Sequence, residues 1–149
     1  MRHHLFQIRP YHARDLQPAA EAANAACRQA YAFFGYDYPV STTRERLEEA
    51  RVERQSMWVP EVDGQVVGIL TLAPHFIDKL FLAPAWHGRG IGTALIHFAK
   101  TLHPDWLELH CAQENRPACR LYERHGFVAL EHRIYQPIGI GDVVYRWTR

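Results

Sequence analysis

Two rhythms of polar and apolar positions run along the chain, and the places where one gives way to the other mark out its elements. Phe76 to Leu82 (FIDKLFL) is apolar and aromatic enough for a buried strand. Ile91 to Ala99 sets Leu95, Ile96, Phe98 and Ala99 among small and polar residues, the pattern of a helix with one core-facing side. Upstream, Leu5 to Arg9 alternates as a first strand that ends at Pro10. After Asp15 the apolar positions from Leu16 to Tyr31 recur at helical spacing, and Gly35-Tyr36-Asp37-Tyr38-Pro39 breaks the run. Ser41 or Thr42 caps a second, highly charged helix through Arg54, with Leu47, Ala50 and Arg51 as its inner stripe.

Ser56 to Glu61 and Gln65 to Leu72 flank Asp63-Gly64, a strong hairpin turn. Pro60 in the first arm asks for an edge position or a bulge. Beyond the second helical pattern, Trp106 to Cys111 reads as a strand, and Asn115 as the N-cap of a helix with Pro117 in its first turn and Gly126 as its C-cap. Ala118, Leu121 and Tyr122 share one face of that helix. Phe127 to Arg133 and Asp142 to Trp147 close the chain as two strands around a Pro137/Gly139/Gly141 loop.

Between the strand at Phe76 and the helix at Ile91 lies His87-Gly88-Arg89-Gly90-Ile91-Gly92. Such a turn exposes backbone N–H groups at the positive end of a helix, where an anion such as phosphate binds. Glycine admits both the unusual backbone angles and the close approach of a phosphate. A dinucleotide fingerprint fails, because its third glycine would fall on Thr93, and no P-loop run exists. A plain strand–helix connection eased by glycine is the alternative.

The spacing instead resembles [Q/R]-x-x-G-x-[G/A], the acetyl-CoA pyrophosphate loop of the GNAT superfamily of N-acetyltransferases, with His87 departing from Gln or Arg at the first position. Asn115 to Phe127 (NRPACRLYERHGF) resembles the N-x-x-A-x-x-[FL]-Y-x-x-x-G-F signature of the same superfamily. The likeness covers about Gln65 to Trp147. It implies an α/β (α+β) fold over residues 1–149 as one domain: a mixed, mostly antiparallel twisted sheet of six to seven strands, with helices on both faces. It implies acetyl transfer from acetyl-CoA to a primary amine by direct attack in a ternary complex. A non-catalytic acyl-CoA-binding or sensor module of the same fold is the other possibility. By the resemblance, backbone groups of Leu80, Phe81 and Leu82 hydrogen-bond the pantetheine arm. Residues His87, Gly88, Arg89, Gly90, Ile91, Gly92 and Thr93 hold the pyrophosphate, Asn115 touches the cofactor arm, and Tyr122 is the general acid.

The residues themselves name no clear base. Asp78 alternates with Leu80 and so shares its face on a regular strand, from which its carboxylate could take a proton or bind a cationic acceptor. Glu61, His75, His110 and Glu114 are alternatives near strand ends. The aromatic run Tyr31, Phe33, Phe34, Tyr36 and Tyr38 lies where acceptor contacts usually fall in that superfamily, either as core and lid packing or as a pocket for an aromatic amine. Ten histidines suggest metal, yet there is no H-E-x-x-H and no Cys/His cluster with zinc spacing, so no metal site is expected. A net charge of +1 gives no reason to expect a nucleic-acid or membrane partner. Three cysteines without a C-x-x-C pair, and no apolar run long enough to span a bilayer, point to a cytoplasmic protein with reduced thiols. A homodimer is possible on the resemblance alone.

Overall fold

The computed structural model describes residues 6–149; Leu5, the expected start of the first strand, lies outside them. The strands are β1 (Phe6–Pro10), β2 (Ser56–Val62), β3 (Gln65–Val66), β4 (Gly68–Ala73), β5 (Phe76–Leu82), β6 (Trp106–Ala112), β7 (Val128–Tyr135) and β8 (Ile140–Thr148). The helices are α1 (Leu16–Ala30), α2 (Val40–Val52), α3 (Ile91–Leu102) and α4 (Arg116–Arg124). They build one 8-stranded sheet in the order β1-β2-β4-β5-β6-β8-β7, with β3 joined to β2. Only β5 and β6 run parallel.

The strand count exceeds the expectation because the second hairpin arm breaks at Val67. Between the pairs Trp58↔Leu70 and Glu61↔Val66, Val59 and Pro60 face Val67, Gly68 and Ile69, one residue too many. Val67 N–H reaches the Pro60 carbonyl at 3.0 Å. Pro60 therefore sits in an interior strand, and a bulge absorbs its missing donor.

Side-chain alternation splits the core in two. Leu70, Leu72, Ile77 and Leu82 face Ile91, Leu95, Ile96 and Ala99 of α3 and Tyr122 of α4. Val59, Val66 and Ile69 point the other way, against Ala19, Ala20 and Ala23 of α1 and Leu47 of α2. The alanines of α1 let its backbone lie close to the sheet, while each fully buried Leu or Ile contributes roughly 1.5–3 kcal/mol.

α2 starts two residues earlier than a cap at Ser41 would place it, and three earlier than one at Thr42. Pro39 is its N-cap, with the extended ψ of 163° that a cap needs, so Ser41 and Thr42 both lie inside the first turn. Arg51 is exposed and bridges Glu48 at 3.0 Å instead of joining the inner stripe, which is Thr43, Leu47 and Ala50. At the other end of the sheet, Arg9 on β1 grips the Asp15 carboxylate with two hydrogen bonds of 2.8 and 2.9 Å and Glu61 with a third, fixing the start of α1. No helix among the described residues is long and apolar enough to cross a membrane.

Candidate active site

β5 and β6 pair only at Phe76↔Glu108 and Ile77↔Leu109; beyond Ile77 the two strands part. The ladder on the other side of β5 tells which of its backbone groups face the gap. Ala83 N–H donates to Val67 O, so by antiparallel alternation Phe81 is hydrogen-bonded to Ile69, and the peptide groups of Leu80 and Leu82 turn towards the opening. The Leu82 carbonyl accepts from His87 Nε2 at 2.7 Å. Leu80, with Leu82 N–H, is what β5 offers to an incoming extended arm. Phe81 offers its ring instead.

The ladder slips at Asp78: Leu72 pairs with Ile77 and Thr71 with Lys79, leaving Asp78 as the extra residue of a bulge. Asp78 therefore does not share a face with Leu80, contrary to the parity of a regular strand. Leu80 packs on the α3 core, whereas Asp78, Lys79 and Phe81 all line a cavity under α1 and α2. Lys79 Nζ donates to Asp78 Oδ2 at 2.6 Å.

From β5 the chain enters the glycine-dense turn. Gly88 and Gly90 have φ of +74° and +84°, and a Cβ on either would meet nothing within 4 Å. Ala94 N–H is the first amide of α3 to reach back, to Gly90 O. The amides from Gly88 to Thr93 donate to no backbone carbonyl among the described residues, and they cluster at the helix's positive end. Arg89 stacks over Trp86, 4.9 Å from its centroid, leaving the turn's outer surface basic. Thr93 Oγ1 meets His125 Nε2 at 3.1 Å, and Lys100 Nζ donates to His125 O at 2.6 Å, so α3 holds the end of α4.

Asn115 caps α4 by accepting from Ala118 N–H at 3.4 Å, which leaves its amide hydrogens for another partner. Tyr122 is buried on the α3 side, its ring 5.8 Å from Phe127 and 6.3 Å from Tyr145. Burial, with Cys111, Tyr31 and Cys119 nearby, pushes its hydroxyl well above the usual tyrosine range, so it keeps its proton at neutral pH. Cys111 and Cys119 lie 3.7 Å apart and share a proton, which lowers Cys119 and raises Cys111.

The cavity, of about 520 Å³, opens on the α1/α2 side of the same gap. Tyr31, Phe34, Tyr36 and Tyr38 line it; Phe33 turns out to solvent at 48% exposure. Its polar groups come from far apart: Arg46 on α2, Asp78 and Lys79 on β5, His110 on β6 and Asp142 on β8. Arg133 Nη2 lies 2.6 Å from His110 Nδ1 and also reaches Asp142. Arginine only donates, so Nδ1 accepts, and the neutral ring carries its proton on Nε2. Burial and Arg133 hold the ring's pKa below its usual value. Its lone pair is thus engaged by Arg133, which makes it a weaker base. Glu61 is engaged by Arg9, and His75 stacks on Trp106, 4.3 Å between centroids; neither lines the cavity.

Tyr122 and Asp78 are thus on opposite faces of the sheet. Between those faces lies the gap where β5 and β6 part.

Comparison with known proteins decides what this arrangement is. The acetyltransferase (GNAT) family model matches residues 21–127, from within α1 to the residue before β7. The chain belongs to the GNAT family. Similar curated sequences include the peptidyl-lysine N-acetyltransferase YiaC of Escherichia coli, 34% identical over 82 residues, 54% of this chain and 56% of that one. Another is the peptidyl-lysine N-acetyltransferase YjaB of Salmonella typhimurium, 31% identical over 96 residues, 62% of this chain and 66% of that one. The chain matches between about half and two thirds of the length of these relatives. Among solved structures, the PaiA N-acetyltransferase of Thermoplasma acidophilum, in complex with coenzyme A, aligns with a TM-score of 0.81 at 17% identity over 97% of this chain and 99% of that one. At such identity the likeness speaks for the GNAT fold, to which the parted parallel strands and the two helical layers correspond.

Neither motif pointed to Arg46, Lys79 or Asp142. Arg46 precedes an inward Leu47 on a helix full of charges, and Asp142 sits in a loop-flanked strand; nothing local sets either apart.

Proposed function

We propose that this GNAT chain transfers the acetyl group of acetyl-CoA to a primary amine, by direct attack within a ternary complex. The observation that carries the reading is the gap beyond Ile77↔Leu109, which lies between a cradle of uncommitted amides and an amine-sized aromatic cavity. The cradle suits a diphosphate: its amides from Gly88 to Thr93 converge at a helix N-terminus, and its glycines leave the approach open. Asn115 amide hydrogens and the Leu80 peptide group supply polar contacts for the linking arm.

When bound, acetyl-CoA supplies an activated thioester carbonyl. The acceptor must be uncharged to attack it, and Asp78 takes the departing amine proton, directly or through water, with Lys79 holding the carboxylate in place. An N–H at the β5 edge stabilises charge building on the carbonyl oxygen. Tyr122, kept protonated by burial, gives its proton to the leaving sulfur. Three free cysteines suit the reducing cytoplasm. The exposed Val128, Leu130 and Ile134 on edge strand β7 suit pairing with a second copy.

Incubation with acetyl-CoA and a panel of amines, followed by release of free CoA, tests the reading. Acetylated amine and stoichiometric CoA are expected. Folded protein that takes up no CoA by calorimetry, or takes it up and acetylates no amine, overturns it.

A further inference from the structure

The charged residues that line the acceptor cavity, Arg46, Lys79, Asp78 and Asp142, balance in number but not in pairing. Asp78 is bonded to Lys79 and Asp142 to Arg133, each acid with its own base. Arg46 is left over. Its guanidinium lies 5.5 Å from the centroid of Tyr38 and makes no ion pair with any carboxylate among the described residues. Burial raises the pKa of Cys27 and Tyr36, both in the cavity wall, and the charge of Arg46 opposes that rise. His110 adds a further donor, since Arg133 takes its Nδ1 and leaves Nε2–H as the remaining polar group of the ring. Both carboxylates of the lining are thus committed, and Arg46 is its one charged group without an ion-pair partner among the described residues.

A cavity of this kind complements a ligand with an apolar body and an anionic group. We propose that the acceptor is an amine that also bears a carboxylate, an amino-acid-type zwitterion with an apolar or aromatic body, and that Arg46 holds the carboxylate while the amine reaches the gap beside Asp78. The inference rests on the acetyl-transfer reading above and narrows its acceptor. The guanidinium of Arg46 lies over the Tyr38 ring and is oriented before the ligand arrives, and a planar fork suits a carboxylate with two bonds. The rings of Tyr31, Tyr36 and Tyr38 cover the body: Tyr31 and Tyr36 are stacked at 6.0 Å, and Tyr36 meets Tyr38 edge-on at 5.0 Å.

The test pairs each carboxylated acceptor with its decarboxylated twin: phenylalanine with phenethylamine, 6-aminohexanoate with pentylamine. A lysine peptide with blocked termini is added. A charge-assisted hydrogen bond makes the wild-type kcat/KM about ten- to a hundredfold higher for the carboxylated member. Arg46→Ala is expected to bring that ratio close to one, Arg46→Lys to restore part of it, and Arg46→Glu to reverse it. CoA uptake by each variant, measured calorimetrically, confirms that it is folded. A wild-type enzyme that uses the decarboxylated twin equally well, a ratio unmoved by Arg46→Ala, or a blocked lysine peptide that outruns every amino acid overturns the inference while leaving acetyl transfer intact. Acetylation of no amine at all overturns both.

Discussion

The imidazole of His87 donates from Nε2 to the carbonyl oxygen of Leu82, 2.7 Å away. One side chain thereby ties the turn that carries the amides to the end of the strand that carries the gap. The family pattern places Gln or Arg at this position; histidine here serves as a strut, and the amides that follow it form the proposed anion site. The Leu82 carbonyl, engaged in this way, is also withdrawn from any arm lying along β5.

His87→Ala should therefore act on the cofactor before it acts on the chemistry. Loss of one hydrogen bond costs about 1 kcal/mol, which the calorimetric Kd for CoA should register as about a fivefold weakening, with kcat at saturation nearly unchanged. His87→Gln, which can donate to the same carbonyl, should recover most of it. Wild-type affinity in His87→Ala would dissociate the strut from binding.

Tyr122→Phe keeps the ring packed against Phe127 and Tyr145 and removes only the hydroxyl. Loss of a general acid lowers kcat by about 10²- to 10⁴-fold, with CoA affinity nearly the same. A burst of activity with thioesters of more acidic thiols, which leave without a proton, should rescue the variant. Unaltered turnover would remove Tyr122 from the reaction.

Acid should loosen the start of α1 first. Hydrogen bonds from Arg9 hold the Asp15 carboxyl below its ordinary value of 3.8, with burial opposing. The unfolded chain thus takes up a proton that the folded one refuses, so the stabilisation is complete above about pH 4–5 and is lost as pH falls through the lowered native value. Asp15→Asn should cost about 2 kcal/mol at neutral pH and flatten the difference between unfolding curves measured at pH 6 and pH 3. An equal pH slope in both proteins would contradict this.

Thr71 is fully buried, and its hydroxyl has no hydrogen-bond partner among the described residues. Valine fills the same space without the stranded polar atom, so Thr71→Val should raise stability by about 1 kcal/mol. A urea midpoint that moves down instead would mean that the hydroxyl is served by water.

Much of this was readable where one stretch of chain carries its own instructions. β5 runs from Phe76 to Leu82 as its apolar run implies, and the Asn115 cap and the glycine turn lie where local patterns put them. What depended on register was not readable. Nothing in FIDKLFL announces that Asp78 bulges, so strict alternation assigned it to the face of Leu80. The cavity was equally hidden, because Arg46, His110 and Asp142 meet only through the pairing of β6 with β8 and the packing of α1 between α2 and the sheet. Ser41 and Thr42 promised a cap, but the fixed φ of Pro39 had already begun the helix.

The bulge at Asp78 puts the two halves of β5 out of phase by one position. Removing that single residue would let the ladder with β4 close up without a slip, and the strand would remain a strand with its leucines still inward. On the proposed mechanism, the molecule so made would keep its cradle of amides yet present no acid to the amine, so the difference between a catalyst and an inert binder of CoA would come down to one unmatched peptide unit.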